Sequence, residues 1–361
     1  MSSAPSPGPA AHSSAEGEEP VLLGRRGRTG HIRLNRPRAL NALNHAMVRL
    51  IAGALDGWEG QDEVAAVVLT GAGERGLCAG GDVRGIHADV AAGGGAASTA
   101  FWADEYRLNA RIAEYSKPYV AVMDGVVMGG GVGLSAHGSV RVVTDRTVLA
   151  MPETAIGFVP DVGGTWLLSR APGELGTHLA LTASSVGAGD ALLCGLADHF
   201  VPAGALEELL TALEEETPAQ AVARVARPAP EAPLAGQRSW IDACYAADSV
   251  PEILRRLRDH GDPEAKEAAE SIESRSPTAV TVTLAALRRA RRLGSLREAL
   301  DQEYRVSLTA LHSADFAEGV RARLIDKDNS PRWSPARFDA VEQADVERYF
   351  APLAGRELGL G

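Results

Sequence analysis

The first order in this chain lies in two unbroken apolar runs. Residues 64–70 read Val-Ala-Ala-Val-Val-Leu-Thr and residues 119–123 read Tyr-Val-Ala-Val-Met. Neither alternates apolar with polar positions, so each is expected to be a strand buried on both faces, as in a parallel sheet. Residues 99–115 between them carry a helical pattern, and strand, helix and strand in that rhythm predict a parallel sheet wound with helices. Upstream, residues 21–24 and 31–34 read as two short strands joined by the Gly-punctuated turn 25–30. Asn41 is expected to cap a helix in which Leu43, Met47, Leu50, Ile51 and Leu55 recur at helical spacing, ending near Gly57 or Gly60. Further strands are expected at 140–144 and 148–150, and short helical segments at 166–169, 179–182 and 188–194.

After residue 206 the pattern changes. Residues 207–216 predict a polar helix, and 217–236 are rich in proline and alanine, which reads as a connector or as loosely packed helices. Helical patterns then recur over 250–260, 265–274, 278–292, 296–311 and 313–324. The expected organisation is a tail over 1–20, a mixed α/β core over 21–215, a connector over 216–236 and a helical region over 237–361.

Composition narrows the functional classes. The 361 residues include 36 Lys+Arg and 47 Asp+Glu, a formal net charge of −11. An acidic chain without a long Lys/Arg run argues against nucleic-acid binding, and any anionic ligand must meet a local basic patch. Residues 1–20, rich in Ala, Ser, Pro and Gly, lack the basic and apolar regions of a signal peptide and are expected to be disordered. The most apolar stretch, 119–140, contains Asp124, His137 and repeated glycines, so no membrane span is expected. Cys78, Cys194 and Cys244 are odd in number and lack a CxxC pattern, which supports neither a disulfide framework nor a zinc site. A reducing, cytoplasmic setting is expected.

Two glycine-rich turns follow the apolar strands: Cys78-Ala79-Gly80-Gly81-Asp82 and Met128-Gly129-Gly130-Gly131-Val132-Gly133. Such turns expose backbone N–H groups, and two together could form one oxyanion hole, although glycines also serve tight turns and helix packing. No GxGxxG dinucleotide fingerprint is present. The next run, 151–164, is apolar except for Glu153 and Asp161, surroundings that raise a carboxyl pKa and suit it to acid/base work; either carboxylate alone could equally cap or turn the chain. Ser135 and His137 invite a Ser/His hydrolase reading, but the local string is not a nucleophile elbow and the two residues would not face each other on a helix. Cys78 has no adjacent histidine to activate it and is expected to pack in the core.

Together these motifs resemble a known family. Asn35-Arg36-Pro37 through Asn41-Ala42-Leu43, with the two glycine turns, are similar to the enoyl-CoA hydratase/isomerase (crotonase) superfamily. The resemblance is closest to its 3-hydroxyisobutyryl-CoA hydrolase branch. It rests there on 151–157 with 160–164, on Glu105-Tyr106, and on Ser276-Pro277-Thr278, Glu303-Tyr304-Arg305, 316–322, 324–328, Ser330-Pro331 and Trp333. The resemblance implies a ββα spiral core closed by a C-terminal helical region; the apolar pattern alone predicts only mixed α/β followed by helices.

For the site, the resemblance implies that the amides of Gly81 and Gly130 bind the thioester oxygen. Glu153 would act at the thioester, as a nucleophile forming an anhydride or as a base activating water. Asp161 would orient the 3-hydroxyacyl group and assist proton transfer, and Glu105 would contact substrate. Many hydratases of the superfamily carry a further glutamate where this chain has Gly133, a departure that weakens a hydratase reading. Coenzyme A enters as part of the substrate, with no metal or redox cofactor. Its phosphates need local cations, for which Arg36, Arg38 and Arg84 flank the motifs, while the run Arg288, Arg289, Arg291 and Arg292 reads as a solvated helix face. The resemblance leaves assembly open: family members often form trimers or hexamers, which makes a homo-oligomer possible, but the extended C-terminal part could replace the covering between subunits. The expected activity is hydrolysis of 3-hydroxyisobutyryl-CoA, a valine-breakdown intermediate; hydration or isomerisation of an enoyl-CoA and non-catalytic acyl-CoA binding are the alternatives.

Overall fold

A hairpin begins the ordered chain. Strands β1 (Val21–Arg26) and β2 (Thr29–Leu34) pair antiparallel about a turn in which Gly27 takes φ +53°. The computed structural model describes residues 19–361, so nearly all of the expected tail lies outside the described residues. From β2 onward the larger sheet is parallel. Strands β3 (Ala66–Gly71), β5 (Tyr119–Met123), β7 (Val140–Val143) and β9 (His199–Phe200) complete the six-stranded order β1-β2-β3-β5-β7-β9. Three short strands, β4 (Gly76–Cys78), β6 (Val126–Met128) and β8 (Val148–Ala150), form a second parallel sheet in that order. Each of β3, β5 and β7 is followed by one strand of the small sheet, so the chain climbs as a spiral of ββα turns.

The helices cover this frame. In the first half they are α1 (His45–Glu59), α2 (Val83–Gly93), α3 (Ala96–Ala113), α4 (Gly130–Ser135), α5 (Gly164–Ser169), α6 (Leu175–Thr182) and α7 (Ala188–Leu193). There follow α8 (Leu206–Ala212), α9 (Pro218–Val225), α10 (Pro233–Tyr245), α11 (Val250–Asp259) and α12 (Pro263–Glu273). The last are α13 (Pro277–Ala290), α14 (Leu296–Ala310), α15 (Ala314–Val320) and α16 (Gln343–Arg348), with one π-helical turn at Arg321–Ile325. None of the described helices is long and apolar enough to cross a membrane.

Several expectations change in detail. Asn41 does not cap α1: Asn44 does, its side chain accepting from Met47 N at 3.0 Å. Asn41 instead takes φ +55° and its buried side chain ties three backbone segments, accepting from Arg36 N and donating to Ala72 O and Gly76 O. The stretch read as a connector contains α9, which a Thr217/Gln220 capping box starts. Its Val222 and Val225 pack with Leu209 of α8 on Val68, Val120 and Val142 of the large sheet, because β3 and β5 are apolar on both faces and need cover on both. Residues of α10 to α15 share one continuous core with the spiral, and Arg288 and Arg291 pair at 2.8 and 2.7 Å with the buried Glu174. With Arg289 paired to Glu347 at 2.7 Å and stacked on Phe350, that basic run is a structural tie at three of its four positions rather than a solvated face.

A backbone-to-backbone contact joins α15 to the turn that follows β8. A Cβ on Gly319 would lie 2.3 Å from Ile156 O, and one on Gly157 (φ +70°) would lie 2.3 Å from Asp315 O. Gly319→Ala is therefore expected to lower unfolding stability by about 1–3 kcal/mol, since the backbone opposite cannot yield as a side chain could. Denaturant titration checks this, and an unchanged midpoint would show that the contact is not tight.

Candidate active site

The small sheet sets the site because its three strands are parallel and end at one edge, where ligands of parallel α/β sheets collect. β4 runs into Gly80 and Gly81, β6 into Gly129 and Gly130, and β8 into the 3-10 turn Glu153–Ile156. The two glycine turns approach so closely that a Cβ on Gly130 would lie 3.4 Å from the Gly81 nitrogen. One on Gly129 (φ +48°) would lie 2.8 Å from Glu153 Oε1. Gly130 opens α4, so its N–H has no partner within the helix, and Gly81 N–H donates to no backbone carbonyl among the described residues. Two amides free to meet one oxygen thus sit beside a carboxyl group, the arrangement that stabilises negative charge developing on a carbonyl.

Three acids face this point. Glu153, Asp161 and Glu105 are each at least 93% buried and line one cleft of about 960 Å³ together with Gly81 and Gly130. Glu105, on α3, lies near enough to Gly130 that a Cβ there would be 2.8 Å from Glu105 Oε1. Glu105 Oε1 and Glu153 Oε2 are buried without a hydrogen-bond partner among the described residues. Burial first, and the charge of Asp161 second, hold both glutamates well above the usual carboxylate range. Burial also pushes Asp161 up to about 7, opposed by the hydrogen bond that Tyr106 OH donates to its Oδ2 at 2.6 Å.

The mouth of the cleft is cationic. Arg36, Arg38 and Arg84 line it as expected, Arg36 held 3.3 Å from Asp82 and Arg84 donating to Leu324 O at 2.7 Å. Arg75, Arg275, Arg323 and Lys327 join them and were not anticipated. Arg323 and Lys327 lie in or beside the π-helical turn, and the neighbouring charge of Arg323 adds to burial in lowering the pKa of Arg275. The Nε atoms of both arginines are buried without a partner among the described residues, a juxtaposition that an anion would relieve. No run of basic residues in the sequence marks these positions; only the folding of the last helices over the glycine turns gathers them.

The other candidates fall away. Ser135 Oγ donates to Gly131 O, and His137 Nε2 donates to Val162 O at 2.8 Å, so they form no Ser/His pair; burial pushes His137 down to about 4. Cys78 is fully buried and its thiol is pushed up to about 12. At Gly133 a Cβ would meet Val162 Cβ at 2.6 Å and Asn109 Nδ2 at 2.9 Å, so no longer side chain fits there without displacing the loop that carries Asp161.

A spiral of ββα turns with paired free amides at the ends of the short strands defines an acyl-CoA-handling class, and the comparisons agree. The chain belongs to the enoyl-CoA hydratase/isomerase family, whose model matches residues 29–350. It is 41% identical to the mitochondrial 3-hydroxyisobutyryl-CoA hydrolase of Gallus gallus over 351 residues, covering 94% of this chain and 91% of that one. The Homo sapiens protein of the same name is 39% identical, with 94% and 90% covered. Among solved structures, a carnitinyl-CoA dehydratase from Mycobacterium thermoresistibile superposes with TM-score 0.92 at 53% identity, covering 95% of this chain and 99% of that one. An enoyl-CoA hydratase from Rhodobacter sphaeroides 2.4.1 gives 0.89 at 45%, with 94% and 99% covered.

The buried acids make stability depend on pH. A carboxyl whose pKa is raised by folding holds a proton that the unfolded chain releases, so its ionisation weakens the fold as pH rises above the ordinary carboxylate range. Glu153→Gln removes that liability. The substitution is expected to raise the thermal midpoint clearly at about pH 8 and little at about pH 4.5, where the native glutamate is already neutral. Thermal scans at both pH values test this, and equal shifts would contradict the raised pKa.

Proposed function

We propose that this protein hydrolyses a short 3-hydroxyacyl thioester of coenzyme A, with 3-hydroxyisobutyryl-CoA as the leading substrate. The observation that carries the reading is Glu153 buried beside two unpartnered amides, with Gly133 leaving no room for another acid next to them. In this reading the thioester oxygen accepts hydrogen bonds from Gly81 and Gly130 N–H. Glu153 acts on the carbonyl carbon, either by direct attack to an anhydride that water then opens or by taking a proton from an attacking water. On the first route the C–S bond breaks as the glutamate oxygen bonds the acyl carbon, and water opens the anhydride; on the second the C–S bond breaks as the water oxygen bonds that carbon. In both, one water is consumed, the thiol leaves with a proton and Glu153 is regenerated. Asp161 and Glu105 orient the 3-hydroxyl. The raised pKa of Asp161 lets it exchange a proton near neutrality.

The cationic mouth supports coenzyme A as the carrier, since its phosphates carry several negative charges and the acidic interior would repel them. The names of relatives about 40% identical over nearly the full chain favour the hydrolase. The names of the two similar solved structures favour a second reading, hydration or dehydration of an acyl-CoA. Against that reading stands the crowding of Gly133 by Val162 and Asn109.

Thiol release from 3-hydroxyisobutyryl-CoA, followed with a colorimetric reagent beside crotonyl-CoA hydration, separates the two. Release without hydration is expected, and Glu153→Ala is expected to lower release by at least about 100-fold while CoA still inhibits equally. Hydration without release would replace the proposal by the second reading. Arg323→Ala is expected to raise KM for the CoA thioester while leaving the corresponding pantetheine thioester, which lacks the phosphates, unaffected. Equal effects on both substrates would remove Arg323 from phosphate recognition.

A further inference from the structure

We propose that one face of α14 positions the Asp161 carboxylate, Glu303 by holding the loop that carries it and Ser307 by holding the tyrosine that hydrogen-bonds it. The inference rests on the hydrolase reading only for its kinetic consequence.

Glu303 and Ser307 are four residues apart and therefore share a side of the helix. Ser307 Oγ lies 2.7 Å from Tyr106 OH, and Tyr106 OH lies 2.6 Å from Asp161 Oδ2. While Asp161 is charged, the phenol donates its one proton to the carboxylate, so the serine hydroxyl donates to the phenol oxygen. The result is a hydrogen-bonded chain from α14 through α3 to Asp161. The tyrosine ring is itself held, with Tyr304 of α14 packed edge-on at 6.0 Å.

The second line runs through the loop. Asp161 is followed by Val162 at φ +52° and Gly163 at φ +81°. A β-branched residue rarely adopts the left-handed region and stays there only where its surroundings hold it. The surroundings are His137, which donates to Val162 O, and Glu303. Glu303 Oε2 accepts from Gly163 N at 2.6 Å, while Oε1 accepts from Thr165 N at 2.8 Å and from the Thr165 hydroxyl. A buried carboxyl group with three donors directed at it is a fastening whose removal leaves two buried amides unpaired. The left-handed turn, and with it the direction of Asp161, depends on a residue that itself lies behind the site.

Tyr106→Phe keeps the ring and removes only its two hydrogen bonds, to Asp161 and with Ser307, so it tests the first line with the packing of the ring retained. The titratable groups about Asp161 are Glu105 and Tyr106 from α3, Glu153 from the turn after β8, and Glu303 from α14, while His137 holds the adjacent carbonyl. Full-length protein with labelled aspartate carboxyls, followed by NMR, reads Asp161 directly, with Asp161→Asn identifying its signal. Tyr106→Phe is expected to raise the Asp161 titration point and Ser307→Ala to raise it less, because the bond favours the charged form. An Asp161 signal that titrates identically in wild type and Tyr106→Phe would overturn the proposal, whatever the substrate proves to be.

The kinetic arm uses 3-hydroxyisobutyryl-CoA. Tyr106→Phe and Glu303→Gln are each expected to lower kcat about 10- to 100-fold with CoA inhibition unchanged, the scale expected of a misdirected group. On an Asp161→Asn background neither substitution should lower it further. Additive losses on that background would show that they act elsewhere than through Asp161. A wild-type protein that releases no thiol would count against the hydrolase reading alone, since the carboxyl titration still decides the positioning.

Discussion

Carboxyl groups that share one desolvated interior cannot all be charged. Glu105, Glu153, Asp161 and Glu303 lie together, each raised by burial first, and most of the surrounding design answers that constraint. Their polar partners are largely neutral donors: Tyr106 for Asp161, the amides of Gly163 and Thr165 for Glu303. The arginines remain at the mouth, away from these acids. A cation placed deeper would ionise the glutamates and hold them as ion pairs, whereas weakly paired acids can exchange protons with a substrate. Part of the stability of the fold is given up to maintain this.

Much of the frame was legible in the residues. Tyr119 to Met123 is unbroken and apolar, and it forms a strand with those bounds. Glu153, Asp161, Glu105, Gly81 and Gly130 were marked by motif and all reach one cleft. What escaped has physical reasons. The strands β4 and β6 are three residues each and contain glycine or follow it, so no periodicity announces them, although they bring the glycine turns together. Asn41 looked like a helix cap because capping needs only a short polar side chain before an apolar periodic run, a condition Asn44 meets as well. Arg275 and Arg323 lie 48 residues apart in the sequence, and Glu303 has the local appearance of any helical acid. Their roles come from tertiary contact, which local pattern does not encode.

The same frame carries proteins described as hydrolases, hydratases and dehydratases, which follows from how little of the site the spiral itself specifies. The paired amides belong to the backbone and serve any reaction that places negative charge on a thioester oxygen. What distinguishes one chemistry from another is which acids surround that oxygen and where they point. Here Val162 and Asn109 crowd Gly133, and Glu303 of α14 accepts from the amide of Gly163, two residues after Asp161. The residues that set the direction of these acids thus come from segments far apart in the chain, Asn109 on α3, Val162 after β8 and Glu303 on α14.

The glycine contact between α15 and the turn after β8 has a consequence for the order in which the molecule is made. Ile156 and Gly319 are separated by more than 160 residues yet meet backbone to backbone. During synthesis the spiral leaves the ribosome long before α14 and α15, at roughly 5–20 residues per second. For several seconds its glycine turns and acids face water without a roof. In that interval water keeps the acids near their ordinary ionisation, so an emerging chain carries an open, hydrated acidic groove rather than a reactive centre. Packing of α15 on the turn after β8 and desolvation of the acids therefore belong to the same event.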